Sequence, residues 1–314
     1  MTQLKELEIT YAGLAVIPSE IGNLESLARL NLRGNRLKSL TPEIGQLQDL
    51  KELYLAGNQL EKLPSEVGSL RNLRTLDVGS ISLTSLPGEV KQLTSLRNLT
   101  LFVNPLKTLP VGVFELSSLE SLAFPKIGFK SLSGEAGKLS KLKTLFLHDN
   151  SLSALPSEIG NSKSMETLTA QNNQISSLPT ETSGLTSLRD LTVSNNQLTN
   201  LPPAIGELTE LRRITLGDNQ LGSLPPELGQ LRKLNQLYLS GNRLTDLPAE
   251  IGKLRLLKRL NLEKNLISDA ALAKLHSLKL LRNLDLRGTN VTAEGVSRLA
   301  EALPKCKIVN DFDQ

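Results

Sequence analysis

A leucine pattern that recurs every 23 residues constrains the fold of this chain more than any other feature. The pattern LxxLxLxxN starts at thirteen positions, and every step but the last is 23 residues long: Leu4, Leu27, Leu50, Leu73, Leu96, Leu119, Leu142, Met165, Leu188, Leu211, Leu234, Leu257 and, after a step of 24, Leu281. Periods of 20 to 50 residues are typical of repeat proteins, whose units bury their apolar faces only by stacking on each other. We therefore predict a single repeat domain over residues 1–314.

The unit at residues 234–256, LNQLYLSGNRLTDLPAEIGKLRL, indicates how each coil is built. Leu237 and Leu239 alternate with polar residues, which predicts a short strand with one apolar side. Asn242 follows as a turn residue. Pro248 fixes φ and begins a short helical or extended return segment, and Gly252 permits a tight turn. Each coil thus combines a strand with a return segment.

The second half of the unit, LPxEIGxLxxL, resembles the leucine-rich repeat superfamily, and within it the Ras-group proteins and their bacterial counterparts. Nine units carry the proline of this motif: Pro18, Pro64, Pro87, Pro110, Pro156, Pro179, Pro202, Pro225 and Pro248. The resemblance implies an α/β solenoid, a right-handed horseshoe with a parallel sheet on its concave face and short helical or extended convex segments. It implies no Ras-type partner, because proteins with unrelated functions share this subclass.

The two ends of the chain differ. Residues 268–275 and 292–303 have the pattern of α-helices that begin after the capping residues Ser268 and Thr292, and Pro304 ends the second helix. We predict a C-terminal capping repeat at 281–314, with a last strand near Lys307. No N-terminal cap is visible, so we expect missing upstream sequence, a covering partner, or protection by irregular residues such as Tyr11.

A column of asparagines follows the strands. Its members are Asn35, Asn58, Asn104, Asn150, Asn173, Asn196, Asn219, Asn242 and Asn265, and Ala12, Ile81 and Ile127 interrupt it. An exposed row could bind a ligand. The preferred interpretation is a structural ladder, because buried asparagine side chains can satisfy backbone groups of the turn and of the next coil.

The strand residues that face solvent supply the candidate partner site. Most are small or polar, but Phe102, Pro125, Phe146 and His148 all fall on the concave face of three adjacent strands. Exposed apolar clusters with a polar rim often mark partner sites. The alternative is local drift, with Phe124 and Phe129 filling core volume. Tyr54 and Tyr238 are single concave rings that could be outer contacts.

A second row is basic. Nine units carry a cation at their second position: Lys5, Lys51, Arg74, Arg97, Lys143, Arg189, Arg212, Lys258 and Arg282. This row could bind an acidic protein or nucleic acid, but a solvated rim, partly paired with acidic neighbours, is the preferred interpretation. No aromatic residues interleave with the cations, which argues against stacking on single-stranded nucleic acid.

Residues suited to catalysis are scarce. The two histidines, His148 and His276, lie in well-separated units, and Cys306 is the single cysteine, so neither a zinc site nor an internal disulfide is expected. The sequence contains no phosphate-binding loop and no dinucleotide fingerprint. We expect no enzyme activity, no metal and no cofactor.

These patterns predict a protein-binding scaffold or recognition domain that uses its concave face. The alternatives are the recognition region of a larger signalling enzyme (a kinase, GTPase or ubiquitin ligase) and a secreted bacterial effector or adhesin. The partner would be another protein and not nucleic acid. Because the chain shows no signal peptide and no membrane span, we expect a cytoplasmic protein, with export by a signal-less route as the alternative. The oligomeric state is not predicted.

Overall fold

The computed structural model describes residues 3–106 and 108–312, and it divides the chain into two compact units, Met1–Asn150 and Ser151–Gln314. Both units are stacks of 23-residue coils, numbered here 1 to 13 from the leucine positions given above. Coils 1–6 and the strand of coil 7 lie in unit 1, whereas residues 151–164 of coil 7, with its 3-10 helix, and coils 8–13 lie in unit 2. The single domain over 1–314 and the cap at 281–314 stay predictions.

Unit 1 contains seven parallel strands that pair in chain order. They are β1 Glu6–Glu8, β2 Arg29–Asn31, β3 Glu52–Tyr54, β4 Thr75–Asp77, β5 Asn98–Thr100, β6 Ser121–Ala123 and β7 Thr144–Phe146. Short 3-10 helices form the return segments of coils 1–6: Ser19–Asn23, Pro42–Gln46, Ser65–Ser69, Gly88–Gln92, Val111–Glu115 and Gly134–Lys138.

Unit 2 repeats this design with seven more parallel strands, again paired in chain order. They are β8 Thr167–Thr169, β9 Asp190–Thr192, β10 Arg213–Thr215, β11 Gln236–Tyr238, β12 Arg259–Asn261, β13 Asn283–Asp285 and β14 Lys307–Val309. Its 3-10 helices are Ser157–Asn161, Thr180–Gly184, Pro203–Glu207, Pro226–Gln230 and Ala249–Lys253, and its α-helices are α1 Asp269–Ala273 and α2 Ala293–Ala302.

Leucines from the strands and return segments fill the core of each unit. In coil 11, Leu237 and Leu239 are fully buried, whereas Gln236 and Tyr238 stay partly exposed, as the alternation predicts. Pro248 precedes the 3-10 helix of this coil, because a fixed φ suits the first turn. The parallel sheet and the short return segments confirm the predicted repeat fold.

Glycines set how closely successive return segments pack. A Cβ atom at Gly206 would lie 2.6 Å from the backbone oxygen of Glu227 in the next 3-10 helix. Because real Cβ contacts are longer, only glycine permits this approach. The glycine at this position of most coils therefore sets the spacing on the side opposite the sheet.

The asparagine column is a structural ladder, as predicted. Asn242 donates from Nδ2 to the backbone oxygens of Leu216 and Leu239, and its Oδ1 accepts from the backbone nitrogen of Leu221. These partners lie in the same coil and in the preceding coil. The sequence pattern instead predicts the second set of partners in the next coil. The residue before each ladder position has a positive φ in all thirteen coils, which aims the asparagine inward.

The C-terminal helices and the last strand are confirmed. The Thr292 side chain accepts a hydrogen bond from the backbone nitrogen of Gly295, which is the predicted cap. Ser268 occupies the N-cap position of α1, as predicted, but its side chain makes no capping hydrogen bond. The next residue, Asp269, instead accepts hydrogen bonds from the backbone nitrogen and the hydroxyl of Thr292, and these bonds lower the pKa of its carboxyl. The carboxylate thus ties coil 12 to coil 13.

Candidate functional site on the sheet face of unit 1

Three positions of each coil form the sheet face: the first and third strand residues and the second residue after the strand. In coils 5–7 none of these nine positions carries Asp, Glu, Lys or Arg: Asn98, Thr100, Phe102, Ser121, Ala123, Pro125, Thr144, Phe146 and His148. In coils 1–4 the same positions include Glu6, Arg29, Glu52 and Asp77. We call the nine positions the uncharged strip. It contains the four residues of the predicted partner site.

Phe102 and Phe146 lie on this strip and are half-buried, whereas Pro125 is buried and adds little exposed surface. The Phe102 ring occupies the space where a Cβ atom at Gly79 would lie, so it packs over the neighbouring coil. A glycine in coil 4 thus makes room for an aromatic ring in coil 5. The backbone at the next residue, Val103, has a φ of 52°, which is strained for a β-branched side chain.

His148 stands at the coil 7 end of the uncharged strip. Its Nδ1 lies 2.7 Å from the Oδ2 of Asp149, and both side chains are partly exposed. This contact fixes the orientation of the ring on the sheet face. Because Asp149 has a positive φ, the chain turns directly after the histidine.

Tyr54 belongs to a polar cluster that the sequence did not predict. The guanidinium carbon atoms of Arg29 and Arg33 lie 5.1 and 4.3 Å from the centre of its ring, within cation–π range. Its hydroxyl donates to Glu52 Oε2 at 3.0 Å. Burial, followed by this hydrogen bond, raises the pKa of Tyr54.

The same cluster contains a buried carboxylate. Asp77 is 6% exposed and accepts two hydrogen bonds from the guanidinium of Arg33, which lies two coils away. The repeat register could have predicted this pair, since the two residues lie 44 positions apart and occupy neighbouring columns of the sheet face. The ion pair gives the uncharged strip a polar neighbour on its coil 4 side.

Tyr238, the other predicted outer contact, lies in unit 2. It is half-buried, and its hydroxyl donates to Gln236 Oε1 at 3.0 Å. The bond repeats the arrangement of Tyr54 with Glu52, where the partner also lies two residues earlier. Tyr238 is therefore a separate aromatic contact of unit 2.

An apolar cleft of about 520 Å³ lies away from the sheet, between coils 5 and 6. Leu106, Leu109 and Phe114 line it from coil 5, and Phe129 and Leu132 from coil 6. Phe114 occupies the position where most coils have the close-packing glycine, and the return segments of coils 5 and 6 pack less closely than those of most neighbouring coils. Phe124 and Phe129 are both buried, with ring centres 5.6 Å apart, which confirms that these two rings fill core volume.

The described residues offer few reactive groups. Within 3–106 and 108–312, no three His, Cys, Asp or Glu side chains cluster as metal ligands. Burial raises the pKa of the Cys306 thiol to about 11, so little thiolate forms near neutral pH. In the same ranges, no helix has the length and apolar composition needed to cross a membrane.

Two family models match the sequence. A leucine-rich repeat region model matches residues 44–145, 131–216 and 203–303, and a leucine rich repeat model matches residues 2–60. Comparison with curated protein sequences gives no match.

Solved structures show the same fold. A leucine-rich repeat protein of Leptospira interrogans is 34% identical, with a TM-score of 0.82 over 99% of this chain and 90% of that chain. The internalin InlF of Listeria monocytogenes is 22% identical, with a TM-score of 0.69 over 99% of this chain and 87% of its own.

A third similar structure is the plant peptide hormone receptor RGFR1 in complex with RGF2. It is 23% identical, with a TM-score of 0.69 over 97% of this chain and 58% of the receptor. The repeat register, the parallel strands and the matches to both family models lead to one conclusion: the chain belongs to the leucine-rich repeat family.

Proposed function

We propose that the chain is a non-catalytic binding domain that holds a segment of another protein on the uncharged strip of coils 5–7. The observation that carries this proposal is the change in composition of the sheet face. Charged residues occupy it in coils 1–4, and two half-buried phenylalanines and a histidine replace them in coils 5–7. Aromatic groups with uncharged neighbours lose little on desolvation, so they favour contact with a protein surface.

The strip is also rigid. Strand pairing fixes its backbone, and Phe102 is held against Gly79 before any partner arrives. Binding to a preorganised surface costs little ordering entropy. A similar structure, the plant peptide hormone receptor RGFR1 in complex with RGF2, supports a binding role for a chain of this fold.

The polar cluster of Arg33, Tyr54 and Asp77 would form the edge of the site. Its side chains already satisfy one another, so a partner can approach without breaking an ion pair. A rim of this kind excludes water from the aromatic centre of an interface.

The test is affinity capture with identification of the bound proteins, comparing the wild type with the double variant F102A/F146A. The control is T192A/T215A, which removes side chains from the sheet face of unit 2. We expect a specific protein to bind the wild type and the control, and to be lost from the phenylalanine variant.

Thermal unfolding of all three proteins shows whether they are folded at the capture temperature. Because Phe102 is half-buried, H148A provides a second variant with a smaller effect on packing. A bound protein retained equally by F102A/F146A, H148A and the wild type would remove the site from coils 5–7.

A further inference from the structure

We propose that a basic pocket at one edge of the sheet in unit 2 binds a phosphate monoester on a peptide. The pocket has a volume of about 320 Å³. Its lining consists of Asn235, Gln236, Lys258, Arg259, Arg282 and Asn283. It is separate from the uncharged strip and independent of the function proposed for it.

The repeat register brings these six residues together. They occupy the second and third positions of coils 11, 12 and 13, where each strand begins. Parallel pairing places Arg259 beside Gln236 on one side and beside Asn283 on the other. Neighbouring strands are about 4.8 Å apart, so residues two strands apart still face one pocket.

The charge of the pocket is unbalanced. Three of its six lining residues are cations and none is acidic. Throughout 3–106 and 108–312, Lys258, Arg259 and Arg282 form no ion pair. All three line one pocket, and no acidic residue lines it with them.

Some basic residues at the second position of a coil pair with acids of neighbouring coils, whereas others, such as Lys51, Arg74 and Arg212, form no ion pair among the described residues. Arg97 and Lys143 both pair with Glu120, which lies in the coil between them, and Arg189 pairs with Glu166 of the preceding coil. The partly paired rim predicted from the sequence is thus confirmed at these positions. In coils 11–13 the second and third positions hold three cations and three amides and no acid, so no such pairing forms within the pocket.

A dianion fits this arrangement better than a carboxylate does. Arginine guanidinium groups present fixed donors that match phosphate oxygens, and the amide nitrogens of three neighbouring side chains add further donors. A phosphate monoester carries a charge of about −1.5 to −2 at neutral pH, enough to offset most of the repulsion among three cations. No aromatic residue lines the pocket, which argues against a nucleic acid strand stacked on it.

The experiment compares three labelled peptides that differ at one position: phosphoserine, serine or glutamate. Binding to the full chain is followed by fluorescence anisotropy at low ionic strength. We expect the phosphoserine peptide to bind at least about tenfold more tightly than either of the others.

Two double variants decide whether the pocket is responsible. R259Q/R282Q removes two lining charges and should weaken phosphoserine binding by about tenfold or more. R36Q/R243Q removes the same charge from exposed arginines outside the pocket and should leave binding nearly unchanged. Inorganic phosphate should displace the peptide more effectively than chloride at equal ionic strength.

Equal binding of the phosphoserine and glutamate peptides would overturn the proposal, as would equal losses in the two double variants. Either result would mean unspecific attraction to a basic surface. The F102A/F146A variant should bind the phosphoserine peptide normally, so failure of this proposal can be told apart from failure of the first.

Discussion

Coils 9–11 and coils 4–6 are built on the same 23-residue frame, but they differ in how closely they keep to it. Residues 188–256 retain all three ladder asparagines, all three prolines and all three close-packing glycines. Residues 73–141 replace two ladder positions with Ile81 and Ile127, one proline with Ser133, and two glycines with Lys91 and Phe114. Strand register is nevertheless the same in both regions.

The comparison separates what the repeat needs from what it tolerates. Strand pairing survives the loss of two ladder asparagines, one proline and two glycines, so it depends mainly on the leucine spine, which coils 4–6 keep. What changes is the surface, because the altered coils carry Phe102 on one side and the apolar cleft beside Phe114 on the other. The ladder and the glycines therefore control packing density, and their loss leaves room for new surfaces.

The largest expected effect is the loss of a ladder residue from the regular coils. Asn219 is buried and bonds to the backbone at Leu198, Val193 and Leu216. Asn219→Ala would remove all three hydrogen bonds and would leave the buried backbone nitrogen of Leu198 without this acceptor, whereas the other two groups keep a donor from a neighbouring ladder asparagine. We expect the free energy of unfolding in urea to fall by about 3 kcal/mol. The exposed Gln197→Ala is the matched control and should change it by less than about 0.5 kcal/mol. A loss below about 1 kcal/mol for Asn219→Ala would show that the ladder is dispensable in regular coils too.

A smaller effect is expected from glycine. In coil 9, Gly206→Ala forces a Cβ against Glu227, and overpacking of this kind should lower the free energy of unfolding by about 2 kcal/mol. In coil 4 the space around Gly88 is open. Gly88→Ala should therefore raise the free energy of unfolding by about 0.5 kcal/mol, because alanine lowers the conformational entropy of the unfolded chain. Urea unfolding of both variants measures the contrast. Effects of the same sign would contradict the packing role given to the glycines.

The smallest effect concerns the backbone before the ladder. Val103 has a φ of 52°, whereas coils 8 and 9 have Asn172 and Asn195 at the equivalent position. Because asparagine tolerates this conformation better than valine does, Val103→Asn should raise the free energy of unfolding by about 1 kcal/mol. The reverse change, Asn195→Val, should lower it. A thermal midpoint that falls for Val103→Asn would mean that the valine side chain itself contributes to packing.

Much of the fold follows from the sequence because each coil repeats one set of local rules. The positions of Leu237, Pro248 and Asn242 predict the strand, the return segment and the ladder, and a period of 23 residues aligns them. The bonds of Asp269 to Thr292 link two successive coils and could not be predicted, because local capping rules describe only contacts within one helix end.

The sites were harder to predict than the fold. Phe102, Phe146 and His148 were found because they stand out against a polar face, and their role in binding stays a proposal. The ion pair of Arg33 with Asp77 joins coils 2 and 4, so it does not follow from the residues that face each other in adjacent coils. The cleft beside Phe114 depends on the distance between return segments, which is set by side-chain volume and not by pattern.

The strand register of unit 2 has a consequence for how such a chain can change in length. From β8 to β12, every strand residue pairs with the residue 23 positions further along. Excision of 23 residues between matching points of coils 9 and 10 would rejoin the chain with the same kinds of neighbours on both sides of the cut. Whole coils can thus be gained or lost by in-frame recombination, while a deletion of any other length throws the leucine spine out of phase.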